Sequence, residues 1–384
     1  MPNTFITPSV VAREMTMVLV DEAVLYGLTR NPAHEAQFTG AEKVGSSITI
    51  RTPIDGSIRE KAVGVGATTD DVTEGSETLT IEKHFYKNIS LDTLDWSLKL
   101  DQFAERILRP VARNLAQELS QYIAAKSVAV PYWAGNVGDP PDTVAEITAL
   151  SKVLDGNKAP VRGRQAVVDE VAKADLQSME PFYKADTRAD GGLALREASL
   201  GMRTLGFDWS MDQAIYEHTA GTMQAANPLV DVGGGVLAGA VSMDIDDVGA
   251  GVETILTGDL FTVANVTGYQ GVFTNDTTAV AGQITGATFY PAAPTGGFAD
   301  SAAITILASH TKNLAFVPGA FTAVAIPPAA PQGQQSATFF DAESGLGIRV
   351  VYGWSTSGIA EVLTVDLLAG AHCQQPELAA ILLG

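Results

Sequence analysis

The chain of 384 residues exceeds one ordinary domain, and its 46 % hydrophobic and 18 % charged residues allow a sizeable core and argue against disorder. No apolar run reaches the roughly 18 residues that a membrane helix needs. Arg13 and Glu14 interrupt the first apolar stretch, which no basic region precedes, so a secretory signal is not predicted. The single cysteine, Cys373, excludes an internal disulfide.

The net charge of −20 is unevenly distributed. Residues 1–203 contain 22 Lys and Arg against 28 acidic residues, whereas residues 204–384 contain only Lys312 and Arg349 against 16. Such a surface repels phosphate, which disfavours direct nucleic-acid recognition. Two interpretations remain open: a solubility device, or a surface that repels nucleic acid or receives a basic partner.

The N-terminal segment, residues 1–44, predicts one amphipathic helix. Thr7 suits the N-cap, Pro8 suits the first helical position, and Gly27 with Asn31-Pro32 marks the end. Apolar residues recur at helical spacing at Val11, Met15, Val18 and Leu25. One helix is too small to be a domain, so we expect an arm that adds docking area rather than core.

Residues 45–92 predict an extended hairpin. Ile48 and Ile50 alternate with polar residues in the first strand, and a matching alternation runs from Leu79 to Leu91. The segment between the strands, residues 54–76, is polar and acidic. An isolated two-stranded hairpin is marginal in water, so this one needs a neighbour.

Residues 93–130 contain the strongest helical signal. Thr93 or Asp95 would cap the helix, and Pro110 would break or restart it. After the proline, one apolar stripe follows at i, i+4 spacing: Val111, Leu115, Leu119 and Ile123. A long helix of this kind predicts a spine on which sheets pack.

The remaining chain changes character twice. Residues 145–218 mix helix and strand patterns, which indicates α+β organisation. Residues 229–303 have short strands between glycine turns, eight acidic residues and no Lys or Arg, which predicts an inserted all-β domain. Residues 304–384 return to longer strands and end on an apolar stretch that must be buried.

No catalytic constellation is convincing. The five histidines lack ligand spacing such as H-E-x-x-H; they are His34, His84, His218, His310 and His372. His372 beside Cys373 suits neither a nucleophile–base pair nor joint chelation. No phosphate-binding loop or nucleophile elbow occurs. The sequence predicts no catalytic residue, cofactor site or metal site. The four tryptophans are scattered along the chain, and we expect each to be a packing anchor: Trp96, Trp133, Trp209 and Trp354.

One acidic run has the residue types of a metal site. Asp244, Asp246 and Asp247 could bind a hard cation, but the rest of a calcium loop is missing. A solvated acidic turn is the favoured interpretation.

The order of these parts resembles a known family. The arm "NTFITPSVVAREMTMVL", the hairpin "GSSITIRTP" with "DDVTEGSETLTIEKHFYKNISL", the spine "LDQFAERILRPVARNLAQELSQYIA" and the closing "HTKNLAFVPGAFTAVAIP", "GLGIRVVYGW" and "LLAGAHCQQPELAAILLG" resemble the major capsid proteins of tailed bacteriophages. "GFDWSMDQAIYEHTAGT" resembles the strand before the insertion. The similarity is to the Hong Kong ninety-seven-type fold, in the branch typified by the coat protein of phage P-twenty-two.

The resemblance implies an α+β capsid fold with an N-terminal arm (1–44), an extended hairpin (45–92), a spine helix with the peripheral domain (93–145), an axial domain (146–228), the inserted β-domain (229–303) and closing strands (304–384). It implies a structural protein without catalysis. Copies of the chain would form hexamers and pentamers that close into a shell around double-stranded DNA, without sequence-specific binding. Partners would be the chain itself, scaffolding and portal proteins and a decoration protein; the location would be the virion capsid, and the host cytoplasm during assembly.

Three alternatives stay open. An encapsulin-like bacterial compartment would have the same fold with an enzyme cargo. A tail or decoration β-protein is disfavoured by the long central helix, and an enzyme is disfavoured because no site is found.

Overall fold

The computed structural model describes residues 8–38, 43–51, 60, 75–91, 107–184, 200, 203–246, 252–355 and 360–384. The chain divides into two compact units. The first unit is Met1–Leu19, Arg30–Ala112 and Thr322–Gln374, and the second is Val20–Thr29, Arg113–Phe321 and Gln375–Gly384. Both helices and sheets are present, as the α+β prediction requires. Within the described ranges, no helix has the length and apolar character to cross a membrane.

The N-terminal segment is helical, as predicted, with α1 at Pro8–Glu22, α2 at Val24–Thr29 and α3 at Pro32–Glu35. The proposed cap, Thr7, lies outside the described residues. The apolar stripe is buried by the chain itself, since Val11, Met15 and Leu19 are at most 1 % exposed. This corrects the expectation of an arm that adds docking area only, because α1 contributes to the core of its own subunit.

The predicted hairpin is formed by β1 (Ser47–Arg51) and β2 (Ser76–Thr80), which pair antiparallel from Ser47↔Thr80 to Arg51↔Ser76. Its apolar side chains pack within the first unit on strands that come much later in the chain, in a cluster of Ile50, Leu79, Ile81, Val324, Ile326 and Leu368. The second predicted strand is in fact two, because the chain leaves β2 and continues as β3 (Lys83–Leu91). The loop between β1 and β2 falls largely outside the described residues.

A five-stranded sheet organises the first unit. It contains β17 (Phe321–Ile326), β18 (Gln335–Phe340), β19 (Gly347–Ser355) and β20 (Ala360–Cys373) in the order β17-β20-β19-β18, and β3 pairs with β20. β20 is long enough, at 14 residues, to serve neighbours on both sides. The first half of the apolar C-terminal stretch is therefore buried in this sheet.

The helix after the predicted spine proline is α4, Arg109–Ala124, with Pro110 in its first turn, where a missing N–H costs nothing. Leu115, Leu119 and Ile123 of the predicted stripe are buried, which confirms the apolar face. Val111 is half-buried, and Arg113 and Glu118 are exposed. The proposed caps, Thr93 and Asp95, lie outside the described residues.

The second unit contains the predicted mixture of helices and strands. Its helices are α5 (Val144–Gly156), α6 (Glu170–Ser178) and α7 (Glu180–Tyr183). The strands of a second sheet are β4 (Trp133–Ala134), β5 (Gln165–Val168), β6 (Asp208–Met211), β7 (Glu217–His218), β16 (His310–Phe316) and β21 (Ala379–Leu383). Their order is β4-β21-β16-β5-β6, and β7 also pairs with β16. The chain therefore ends on a buried strand between β4 and β16.

Local chemistry fixes the ends of these helices. Glu146 accepts a hydrogen bond from the backbone N–H of Thr143 at 3.2 Å, one half of a capping box. Asp169 caps α6 by accepting from Ala172 N at 2.8 Å. Both signals are present in the sequence, which is why the helix boundaries are predictable here.

Eight strands are present among the described residues of the segment from 229 to 306: β8 (Leu229–Val230), β9 (Ser242–Asp246), β10 (Thr254–Ile255), β11 (Leu260–Val263), β12 (Gly271–Phe273), β13 (Thr277–Thr278), β14 (Ile284–Tyr290) and β15 (Ile304–Ile306). Six of them form one sheet in the order β15-β11-β12-β14-β9-β8. The sheet extends three residues beyond the predicted boundary at 303, and we call residues 229–306 the insert. Its core contains aliphatic side chains and a group of aromatic rings, with Phe261 stacked on Phe273 at 4.3 Å between ring centroids.

Candidate assembly elements and a buried polar cluster

The structure brings two of the five histidines together. His218 on β7 and His310 on β16 are directly paired across the strands, and their ring centroids lie 5.5 Å apart. His34, His84 and His372 are in the first unit, on α3, β3 and β20. The two paired histidines lie beside two other buried titratable side chains, Asp259 and Lys312.

Asp259 joins the insert to β7. Its carboxylate is fully buried, and the His218 imidazole donates to it from Nε2 at 2.7 Å. The backbone N–H groups of Gly221 and Leu256 donate to the same carboxylate at 3.2 and 2.8 Å. A buried carboxylate needs several donors to offset the loss of hydration, and this one has them.

Lys312 approaches the same turn from β16. Its side chain is fully buried, and Nζ donates to the carbonyl of Gly258 at 2.7 Å. Burial lowers the pKa of this amine to about 7, against the opposing attraction of Asp259. Gly258 has a φ of +97°, and a Cβ there would lie 3.0 Å from the side chain of Val128, so glycine is required at the contact.

His310 completes the group. It donates from Nδ1 to the carbonyl of Ala308 at 2.7 Å, while Nε2 has no hydrogen-bond partner among the described residues. Burial lowers its pKa to about 4; the Ala308 carbonyl opposes this shift, and Lys312 and His218 add to it. We call His218, Asp259, His310 and Lys312 the buried polar cluster.

The buried polar cluster is closed to solutes. Each of its four side chains is at most 3 % exposed, so a substrate has no access to them. Its hydrogen bonds instead connect a turn of the insert to two strands of the neighbouring sheet. The arrangement therefore holds the insert in place.

Sequence reasoning did not find this cluster. One signal was available, because His310 and Lys312 are two residues apart in a strand and so lie on one face. A lone lysine in an apolar strand predicts burial with a partner. The partner itself, Gly258, lies 54 residues away in the sequence and has no pattern of its own.

A second buried charge lies in the sheet of the first unit. Asp366 on β20 is 1 % exposed and accepts from Arg349 on β19, whose Nε lies 2.9 Å from Oδ1 and whose Nη2 bonds Oδ2. His84 on β3 also contacts Oδ2, at 2.9 Å. The two strands flanking β20 thus each supply a partner for its one buried carboxylate.

His372 and Cys373 are neighbours on β20 and so point to opposite faces. His372 contacts Glu77 at 3.2 Å, whereas Cys373 is buried. Burial raises the pKa of the Cys373 thiol to about 12, and the charge of Glu77 adds to the shift. An inert, buried thiol results.

The acidic run weighed as a cation site is divided. The Asp244 carboxylate accepts from the backbone N–H of Gly286 at 2.7 Å, at the irregularity in β14 where its pairing with β9 shifts register. Asp247 lies outside the described residues. Among the residues that are described, no group of three or more His, Cys, Asp and Glu side chains has the arrangement of a metal site.

The tryptophans differ in exposure. Trp133 and Trp209 are buried, and Trp209 packs edge-on against Phe182 with 5.5 Å between ring centroids. Trp354 on β19 is 59 % exposed, which the expectation of four packing anchors did not include. Trp96 lies outside the described residues.

Exposed apolar side chains mark candidate assembly surfaces in each unit. In the first unit, Tyr86, Phe340 and Trp354 are exposed on the five-stranded sheet, and Met17 and Val44 are exposed outside it. In the insert, Leu237 is 77 % exposed. It follows Val236, which exchanges two backbone hydrogen bonds with Phe298, as in an antiparallel strand pair.

Comparisons with known proteins give structural likeness only. No protein-family model matches the chain, and no curated protein is significantly similar to it in sequence. A chain in the solved structure "Mycobacterium phage Che8" is similar with a TM-score of 0.50 and 14 % identity, over 93 % of this chain and 90 % of that one. The present chain therefore has the fold of that phage protein over nearly its whole length.

Other solved structures are similar at lower scores. The capsid of Ralstonia phage GP4 has a TM-score of 0.45 and 6 % identity, over 94 % of this chain and 90 % of that one. A virus-like particle from Pyrococcus furiosus has a TM-score of 0.41 and 8 % identity, over 97 % of each chain.

Proposed function

We propose that the chain is a capsid protein that forms the shell of a tailed bacteriophage. The observation that carries the proposal is the fold shared with a Mycobacterium phage protein across 93 % of the chain. The order of the sequence elements, which resembles that of tailed-phage major capsid proteins, supports the same conclusion independently of the coordinates. The role is structural, and no catalytic step is assigned to the chain.

Each part has a proposed place in this function. The hairpin of β1 and β2 and the residues between them supply contacts to neighbouring subunits, α4 with its preceding segment is the spine, and the two sheets build the peripheral and axial domains. The insert is an added β-domain, as in the branch typified by the coat protein of phage P-twenty-two. Hexamers and pentamers of the chain close into an icosahedral shell.

The charge of the chain suits a container for DNA. The second half, with 16 acidic residues against Lys312 and Arg349, repels phosphate, so packaged double-stranded DNA would not adhere to it. Scaffolding, portal and decoration proteins are the proposed partners. The virion capsid is the proposed location, after assembly in the host cytoplasm.

Electron microscopy of the purified full chain tests the proposal. We expect uniform shells, or rings of five and six subunits, on negatively stained grids and a matching fast species in gradient sedimentation. Only monomers over a wide range of concentration, salt and crowding agent would contradict it. Shells that carry a protein cargo in place of DNA when isolated from a host would favour the compartment alternative.

A further inference from the structure

Several contacts hold the insert to the rest of the second unit. They include the exposed hydrogen bond from Tyr290 to Glu377 and the buried polar cluster, whose titratable groups from both sides are buried. From the insert comes the Leu256–Asp259 turn, which offers one carbonyl and one carboxylate. From the neighbouring sheet come His218, His310 and Lys312. Tyr216 also faces the cluster, and burial raises its pKa, with the charge of Asp259 adding to the shift.

We propose that the buried polar cluster is an acid-sensitive latch, which holds the insert against β7 and β16 and releases it when the cluster takes up protons. The reason is geometric. The four side chains are packed against one another with at most 3 % exposure, and three of them become cations on protonation while only Asp259 is an anion. A second or third positive charge in this space is neither hydrated nor paired.

The direction of the effect follows from proton binding. His310 has a pKa of about 4 when the cluster is closed, against 6.5 for an exposed imidazole. The released state therefore binds more protons between these values, and lowering the pH through this window favours release. One proton corresponds to a change of about tenfold in the closed-to-released ratio per pH unit.

Lys312 adds a second window at higher pH. Its pKa is about 7 in the closed cluster, against 10.5 for an exposed amine. Closure therefore strengthens as the pH rises from about 7, also by about tenfold per unit. His218 Nε2 lies 2.7 Å from the Asp259 carboxylate and is the anchor of the latch.

Hydrogen exchange of the intact chain, followed by NMR, separates latch opening from unfolding. The amides of Gly221 and Leu256 donate to the Asp259 carboxylate and report on the latch. The amides of Phe289 and Phe298 bond within the insert and report on its own sheet. We expect protection factors at the first pair to fall about tenfold per unit from pH 6.5 to 4, while those at the second pair stay constant.

Three variants sharpen the test. His310→Phe should abolish the acid window, and Lys312→Met should abolish the dependence between pH 7 and 9. His372→Gln, which changes an imidazole in the first unit, is the matched control and should leave both windows intact. If the His310 variant does not fold, the ring titration of His310 in the native chain replaces it, with a midpoint near 4 expected.

Three outcomes would overturn the latch. These are protection factors that do not vary with pH, a parallel fall at Phe289 and Phe298, and an acid window that survives His310→Phe. The measurement uses the unassembled subunit, so it is independent of whether the chain forms shells.

Discussion

The side-chain amide of Gln270 forms hydrogen bonds with both the backbone N–H and the backbone carbonyl of Trp133. Gln270 Oε1 accepts from Trp133 N at 3.2 Å, and Gln270 Nε2 donates to Trp133 O at 2.9 Å. Trp133 is on β4, at one end of the strand order in the second sheet. The insert thus supplies, from a side chain, the pair of hydrogen bonds that a further strand would make.

Replacing Gln270 with Ala should destabilise the subunit by about 1–3 kcal/mol, because two backbone groups beside a buried indole lose their partners. Urea denaturation measures the change. Gln283→Ala is the control, since that amide contacts Asp231 at an exposed position and should cost less than about 0.5 kcal/mol. Equal effects of the two variants would show that the Trp133 contact contributes nothing specific.

Replacing Leu119 with Ala should cost about 2–5 kcal/mol, because the side chain is 1 % exposed on the buried face of α4. Gln117→Ala, two residues earlier on the exposed face, should stay within about 0.5 kcal/mol. Thermal or urea unfolding of both variants gives the comparison. A cost below about 0.5 kcal/mol for Leu119→Ala would show that this face of α4 does not contribute to the core.

Replacing Arg349 with Met should cost about 3–5 kcal/mol, because Asp366 stays buried in the sheet and, among the described residues, would keep only His84 as a side-chain partner. Adding Asp366→Asn to that variant should recover part of the loss, since the uncompensated charge disappears. A double-mutant cycle in urea measures the coupling. Additive costs would mean that the two side chains do not interact in solution.

The Cys373 thiol should resist alkylation in the folded subunit at pH 8. Burial raises its pKa to about 12 from 9.0, so the reactive thiolate is about 1,000-fold rarer than at an exposed cysteine. Iodoacetamide labelling followed by mass spectrometry measures the rate, and the same reaction in urea is the control. Fast labelling of the native chain would show that the end of β20 opens readily.

Replacing residues 52–75 with Asn-Gly should leave a folded subunit that no longer assembles. Arg51 and Ser76 are directly paired, so a two-residue turn closes the hairpin and keeps Ile50 and Leu79 in the core. Circular dichroism checks folding, and gradient sedimentation checks assembly. A Gly-Ser replacement of the original length separates the effect of sequence from that of length, and normal shells from both variants would remove this segment from the proposed contacts.

The sequence alone determined the elements whose signals are local. Helical spacing with Pro110 predicted α4, and Thr143 with Glu146 marks the start of α5. Alternation around Ile48 and Leu79 predicted the hairpin, and glycine turns predicted the β-character of the insert. In each case the residues that decide the conformation lie within a few positions of one another.

Only the tertiary structure decided which strands pair and what the buried charges contact. The C-terminal sequence shows two apolar segments separated by a turn, but only the structure shows that β20 enters one sheet and β21 enters another. Likewise, the sequence of α1 predicts an apolar face from Val11 to Leu19. It does not predict that this face is buried within the same chain. The pattern of a strand fixes which side is apolar and leaves the partner open. For Lys312 the partner is a carbonyl 54 residues away, and any residue type has a carbonyl, so no sequence pattern distinguishes it.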